Sequence, residues 1–112
     1  METADRQTSP GGRALDGVAR VRLWGLLTAA TASQARARVQ RALDQGHAHV
    51  LVDLQGVTRI DAVGIAVLLD ARRLLQARTG GTLVLCANRI VCRALRTTRT
   101  IAAFALTAGT GM

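Results

Sequence analysis

Lysine is absent from this 112-residue chain, and all fifteen of its basic side chains are arginine. Aromatic residues are almost as scarce: Trp24 and Phe104 are the only two, so the core has to be built from leucine, valine and alanine. That scarcity also removes the stacking platforms on which single-stranded nucleic acids are held. No apolar run approaches the ~20 residues that cross a bilayer, and the polar N-terminus lacks a secretory signal pattern. A cytoplasmic protein with no membrane insertion is expected. Only two cysteines occur, Cys86 and Cys92, with five residues between them. This spacing fits neither a redox Cys-x-x-Cys nor a zinc pair. His47 and His49 could complete four ligands, but they lie in a separate element and carry no metal motif. Two thiols used for packing are the expected reading, with a regulatory disulfide as the alternative.

Hydrophobic residues make up 49% of the chain and charged ones 20%, which describes one globular domain with a modest core. The net charge of +8 raises the question of nucleic acid or an anionic membrane. The arginines are scattered from Arg6 to Arg99 rather than gathered in one block. A general compositional preference for arginine explains them better, and no DNA binding is expected.

Catalytic equipment is missing. There is no Ser-His-Asp set, no glycine loop with a lysine for phosphate, and no histidine cluster for a metal. Asp53 and Asp61 are the only carboxylates near the centre of the chain. As a pair they could hold a cation or exchange protons. As single residues, Asp61 would cap a helix and Asp53 would order a loop. The second reading is preferred, so no catalytic residue, no metal site and no cofactor are expected, and the chain is read as a non-enzyme.

The most informative stretch begins at Val50-Leu51-Val52-Asp53-Leu54, a short β-branched run that reads as a buried strand ended by Gly56. After a turn, Ile60-Asp61-Ala62-Val63-Gly64-Ile65 opens a helix that runs to Thr79 and closes on Gly80-Gly81. Asp61 can accept backbone N–H bonds in the first turn, where the helix dipole also favours a carboxylate. Gly64 would let another backbone or a partner approach closely. At 100° per residue, Val67, Leu68, Ala71, Leu74 and Leu75 share the face expected on the sheet. Asp70, Arg72, Arg73 and Gln76 lie opposite, and Ile65, Ala66 and Leu69 fall on that second, nominally wet side. Apolar residues beside arginines on an exposed turn fit the composition of a protein interface.

Strand Asp53-Leu54, the turn Ile60-Asp61-Ala62-Val63-Gly64-Ile65 and the apolar helix after it resemble the STAS domain of anti-sigma-factor antagonists and sulphate transporters. The resemblance extends from about Val18 to Phe104. It implies a single α/β domain, with a mixed, mostly parallel sheet packed by three to four helices. It also implies binding to a histidine-kinase-like anti-sigma factor through the loop and first helical turn. By that resemblance the partner-binding residues are Asp61, Ala62, Val63, Gly64, Ile65, Leu69 and Arg72. In the family the turn usually reads Asp-Ser-Ser/x-Gly, and the first serine is phosphorylated. Here that position is Ala62, so this phospho-switch is expected to be lacking. A STAS scaffold serving a lipid ABC transporter or a stressosome-type assembly is the alternative, RNA binding through the arginines is a third, and a homodimer is left open.

Around this centre, residues 1–12 read as a flexible tail and 13–106 as the domain, with a second tail at 107–112. Asp16-Gly17 reads as a hairpin turn between a short strand at 13–15 and a longer one over 18–25. In the longer strand Ala19, Val21 and Leu23 alternate with Arg20, Arg22 and Trp24. Its end, Gly25-Leu26-Leu27-Thr28, lacks the acidic residues usual in the family. Thr28 or Thr31 should start a helix reaching Gln45, with a capping box between Thr31 and Gln34. Its stripe is Ala32, Ala35, Val39, Ala42 and Leu43. A strand over 82–86 and a helix capped by Asn88 follow, with Ile90, Val91, Ala94 and Leu95 inward. Ile101, Phe104 and Leu106 belong to a last short strand or helical turn. Strands alternating with helices indicate an α/β sheet.

Overall fold

Alternation of short β-branched runs with helical stripes produces three β–α units and a closing strand. The computed structural model describes residues 18–107. The order is β1 (Val18–Leu27), α1 (Ala32–Asp44), β2 (His49–Ile60), α2 (Ala62–Thr79), β3 (Thr82–Ala87), α3 (Arg89–Thr97), a 3-10 turn (Ile101–Ala103) and β4 (Ala105–Thr107). The four strands form one sheet in chain order, and every neighbouring pair is parallel. The hairpin expected at 13–17, on which a mixed sheet depends, lies outside the described residues, as do the tail expected at 1–12 and the one expected at 107–112, except that Thr107 is the last residue of β4.

Alternation along β1 sets its faces: Ala19, Val21 and Leu23 are buried, whereas Arg20, Arg22 and Trp24 are exposed. In register with them, Val50 and Val52 of β2 and Leu83 and Leu85 of β3 form the rows under the helices. Leu54, Leu68, Leu75, Leu85 and Leu95 are at most 1% exposed. Each such burial is worth about 1.5–3 kcal/mol before chain entropy is counted. α1 packs on β1 and α2, and α2 also covers β3.

Several local expectations are corrected. β2 does not stop at Leu54 but continues to Ile60. Gly56 sits within the strand opposite Trp24, where an added Cβ would come within 2.9 Å of the Trp24 Cβ. It is required for space and does not end the strand. β1 likewise continues past Gly25 to Leu27, with irregular register on both sides of Gly25, whose φ is 73°. α1 buries the five residues of its expected stripe, but the Thr31–Gln34 capping box does not form. The Thr31 hydroxyl instead donates to the Leu26 carbonyl at 2.8 Å and accepts from the Thr28 N–H at 3.1 Å, closing the loop before the helix.

In α2, Val67, Leu68, Ala71 and Leu75 are buried as expected, but Leu74 is 41% exposed. Ile65, placed on the wet side by the helical wheel, is in the core at 4%. Gly64 lets the first turn of α2 lie so close to the end of β1 that Ile65 is covered whatever its angle on the wheel, while Ala62 and Val63 stay exposed. In α3 the Asn88 cap forms, with Oδ1 accepting from the Val91 N–H at 2.9 Å. Its Nδ2 donates to the carbonyls of Gln55 and Val57, tying α3 to β2. Val91 and Leu95 are fully buried, whereas Ile90 is 45% exposed rather than inward. The described residues end with a helical turn followed by a strand, so both forms foreseen for that region occur in succession.

Candidate docking site

The C-terminal ends of β1 and β2 run side by side, with Leu27 opposite Ile60, and both chains turn there into helices. Asp61 stands at this junction. Its Oδ1 accepts from the Gly64 N–H at 3.0 Å, capping α2, and its Oδ2 accepts from the Ala29 N–H at 3.2 Å, holding the loop of residues 28–31. Its own N–H donates to the Leu27 carbonyl at 3.3 Å. One carboxylate thereby fixes two loops and a helix terminus. The Gly64 N–H above all, aided by a weaker contribution from the Ala29 N–H, holds the Asp61 carboxyl below its ordinary value against the opposing effect of burial.

Gly64 makes this junction close. A Cβ there would stand 2.0 Å from the Leu27 carbonyl oxygen, so α2 can lie against β1 only without a side chain at that position. Beyond the clasp, Ala62 and Val63 are exposed, Val63 at 38%. Of the residues expected to bind a partner, Asp61, Ala62 and Val63 form one exposed turn. Gly64 and Ile65 are buried beneath it and shape it, and Leu69 and Arg72 are partly buried further along α2.

Two residues that the sequence reading left out extend this edge: Trp24 and Leu26, exposed at 41% and 47%. With Leu23, Leu27, Thr31, Gln34, Ala35 and Arg38 they line a groove of about 200 Å³ between β1 and α1. The Arg38 guanidinium lies 5.0 Å from the centre of the Trp24 ring and donates to the Arg22 carbonyl through Nε and an η nitrogen. The signal was available, since Trp24 and Leu26 both fall out of phase with the buried Leu23 and Leu27.

Asp53 and Asp61 are not brought together. Seven strand residues separate them, roughly 25 Å at strand rise. Asp53 accepts from the Gln55 N–H within β2 and lies level with Cys86. Burial, and then the Asp53 charge, push the Cys86 thiol up, which disfavours its thiolate. Among the described residues no group of three or more His, Cys, Asp or Glu could hold a metal, and no helix is long and apolar enough to cross a membrane.

The remaining described carboxylates join α1 to α2. Asp70 pairs with Arg36 and Arg73, and Asp44 with Arg78. Hydrogen bonds from Arg36 and Arg73 hold Asp70 below 3.8, and those from Gln40 and Arg78 do the same for Asp44. A carboxyl whose pKa is lower in the folded than in the unfolded chain adds stability that is complete above its unfolded value. That stability disappears as pH falls through the folded value. The contribution of Asp44, Asp61 and Asp70 should therefore hold down to about pH 4 and vanish below it. Urea unfolding at stepped pH checks this: Asp61→Asn combined with Asp70→Asn should flatten the acid limb relative to the parent chain.

The comparisons agree with this architecture. The STAS domain model matches residues 13–105, and the chain belongs to that family. Among solved structures, an anti-sigma factor antagonist, so named, from Thermotoga maritima superposes with a TM-score of 0.74 at 21% identity, covering 86% of this chain and 82% of that one. An anti-sigma-factor antagonist (STAS) domain protein from Planctomyces limnophilus gives 0.71 at 16% identity, over 83% and 84%. The anti-sigma factor antagonist SpoIIAA in its unphosphorylated form gives 0.66 at 20% identity, over 87% and 84%. At these identities the likeness establishes the fold. No curated protein matches the chain.

Proposed function

We propose that this chain is an anti-sigma-factor antagonist-like protein that binds a histidine-kinase-like anti-sigma factor and so regulates sigma-factor-dependent transcription. The observation that carries the reading is the exposed turn Asp61–Ala62–Val63, held rigid by a carboxylate that bonds both α2 and the loop before α1. A pre-ordered turn loses little entropy on docking. Exposed Val63, Leu26 and Trp24 supply apolar anchors within a polar rim. Bacillus SpoIIAA, which shares the fold, has been solved in phosphorylated as well as unphosphorylated form. Here Ala62 carries no hydroxyl at the position the family modifies, so binding is governed by abundance or by another input. The chain acts by association and not by catalysis, in the cytoplasm and without DNA contact.

Titrating the pure chain with each anti-sigma kinase encoded beside it or elsewhere in its genome tests this, with the emission of the single tryptophan, Trp24, as readout. One kinase should bind. Val63→Glu should weaken that complex by about 30-fold, the size of a central anchor of roughly 2 kcal/mol. Its melting temperature should stay unchanged, because the side chain is already exposed. Equal binding by the variant would move the interface elsewhere. Binding only to transporter ATPase components would favour the scaffold reading.

A further inference from the structure

From Ala71 to Met112 the chain contains no Asp or Glu but seven arginines. Two of them, Arg73 and Arg78, are paired with carboxylates through Asp70 and Asp44. Four others cluster on an element that does not carry the docking turn: Arg89, Arg93 and Arg96 of α3, and Arg99 just after it. All four are exposed. Among the described residues none of them forms an ion pair or side-chain hydrogen bond.

Spaced i, i+4 and i+7, Arg89, Arg93 and Arg96 share one stripe of the helix, opposite buried Val91 and Leu95. Arg96 in the last turn suits the helix dipole, but the other placements work against local stability. Like charges at this spacing repel. Arg89 occupies the first turn, where the helix dipole disfavours a cation. Arg99 is the only non-glycine residue with positive φ among those described, at 62°. Its N–H bonds the Arg96 carbonyl while the Thr100 N–H bonds that of Leu95. This is the helix-ending motif in which glycine is the usual occupant. A charged side chain kept where its backbone is strained, at the end of an unpaired stripe of like charge, marks a site shaped by something other than folding.

We infer that the Arg89–Arg93–Arg96–Arg99 ridge, with exposed Ile90 beside it, is a second docking surface, and that it receives an acidic helix of a protein partner. Charge complementarity and periodicity select that occupant. Carboxylates at i, i+4 and i+7 of a facing helix repeat at the spacing of the guanidinium groups, each of which can grip a carboxylate with two N–H bonds. Nucleic acid fits less well, because Trp24 lies on β1 and Phe104 is buried, so no aromatic surface flanks the ridge. A membrane surface fits less well too, because the apolar face of α3 is already used in the core. The inference does not depend on the anti-sigma reading, whose docking turn it leaves untouched.

Two labelled helical peptides of identical composition provide the probe: one with glutamates at i, i+4 and i+7 beside a leucine, the other with those glutamates spread around the helix. Measured by anisotropy at physiological salt against the full chain, the striped peptide should bind at least about 10-fold more tightly than the scattered one. Arg93→Ser should lower that affinity several-fold. Arg99→Gly should raise the melting temperature by relaxing the backbone and yet weaken the peptide, a combination that a purely structural arginine would not give. Equal affinity for the two peptides would overturn the inference. So would tighter binding of a single-stranded oligonucleotide or of phosphatidylserine vesicles than of the striped peptide, or unchanged peptide affinity in both variants.

Discussion

Gly64→Ala should lower stability by on the order of 3 kcal/mol, the upper end of overpacking costs. In a domain of this size that shifts the melting temperature down by about 10 °C or more. The added Cβ would meet the Leu27 carbonyl oxygen at 2.0 Å and its carbon at 2.9 Å, both backbone atoms that no rotamer change can move. Relief requires α2 to withdraw from β1. That withdrawal breaks the Asp61 N–H bond to the same carbonyl and uncovers Ile65. Gly46→Ala is the control. Gly46 has a φ of 80° but open space around it, so only the left-handed backbone is penalised, at about 1–2 kcal/mol. Guanidinium unfolding of the two variants separates crowding from backbone strain. A Gly64 variant no less stable than the Gly46 variant would mean that the junction is looser than its geometry indicates.

Ala62→Ser should convert a chain that accepts no phosphate from its anti-sigma kinase into one that is fully modified, provided that kinase is the partner proposed above. Position 62 opens α2 on the exposed side of the clasp, where a hydroxyl would face a docked partner and where serine disturbs no packing. Phosphate adds about −1.5 to −2 charges there. Although the helix terminus itself favours an anion, the Asp61 carboxylate is adjacent, and a packed interface would desolvate both. Desolvating two adjacent anions on docking costs several kcal/mol, so the modified variant should bind on the order of 100-fold more weakly. Intact-mass spectrometry after incubation with kinase and ATP, followed by titration of the separated product, measures both effects. A variant that binds the kinase yet stays unmodified would show that its turn is presented differently from the family's.

What could be read from the chain alone follows the range of the forces involved. The stripe of α1 was legible because Ala32, Ala35, Val39, Ala42 and Leu43 obey one period and the remaining face is polar. The Asp61 and Asn88 caps were legible because each partner is three residues away. α2 was harder. Its first eight residues are all apolar or glycine, so the wheel cannot tell the wet side from the dry one, and Ile65 is decided by how near α2 approaches Leu27. Gly56 looked like a stop because a strand glycine often is one; its requirement comes from Trp24 on the neighbouring strand. The second bond of Asp61, to Ala29, and the groove beside Trp24 exist only once β1 and β2 lie together. Local chemistry foretold the elements, and the site took its shape from contacts between them.

Because the described strands follow one another across the sheet, β1 and β4 lie on its opposite margins among the described residues, about 14 Å apart at the usual interstrand spacing. The docking turn and the Trp24 groove belong to the β1 margin, whereas the described chain leaves the sheet from the β4 margin at Thr107. Because every strand runs parallel, Thr107 nevertheless lies at the same end of the sheet as the docking turn, displaced from it sideways. A surface, a dye or a second domain joined directly after Thr107 therefore stands beside the site, and a fusion that must leave the site open needs a spacer longer than that sideways distance.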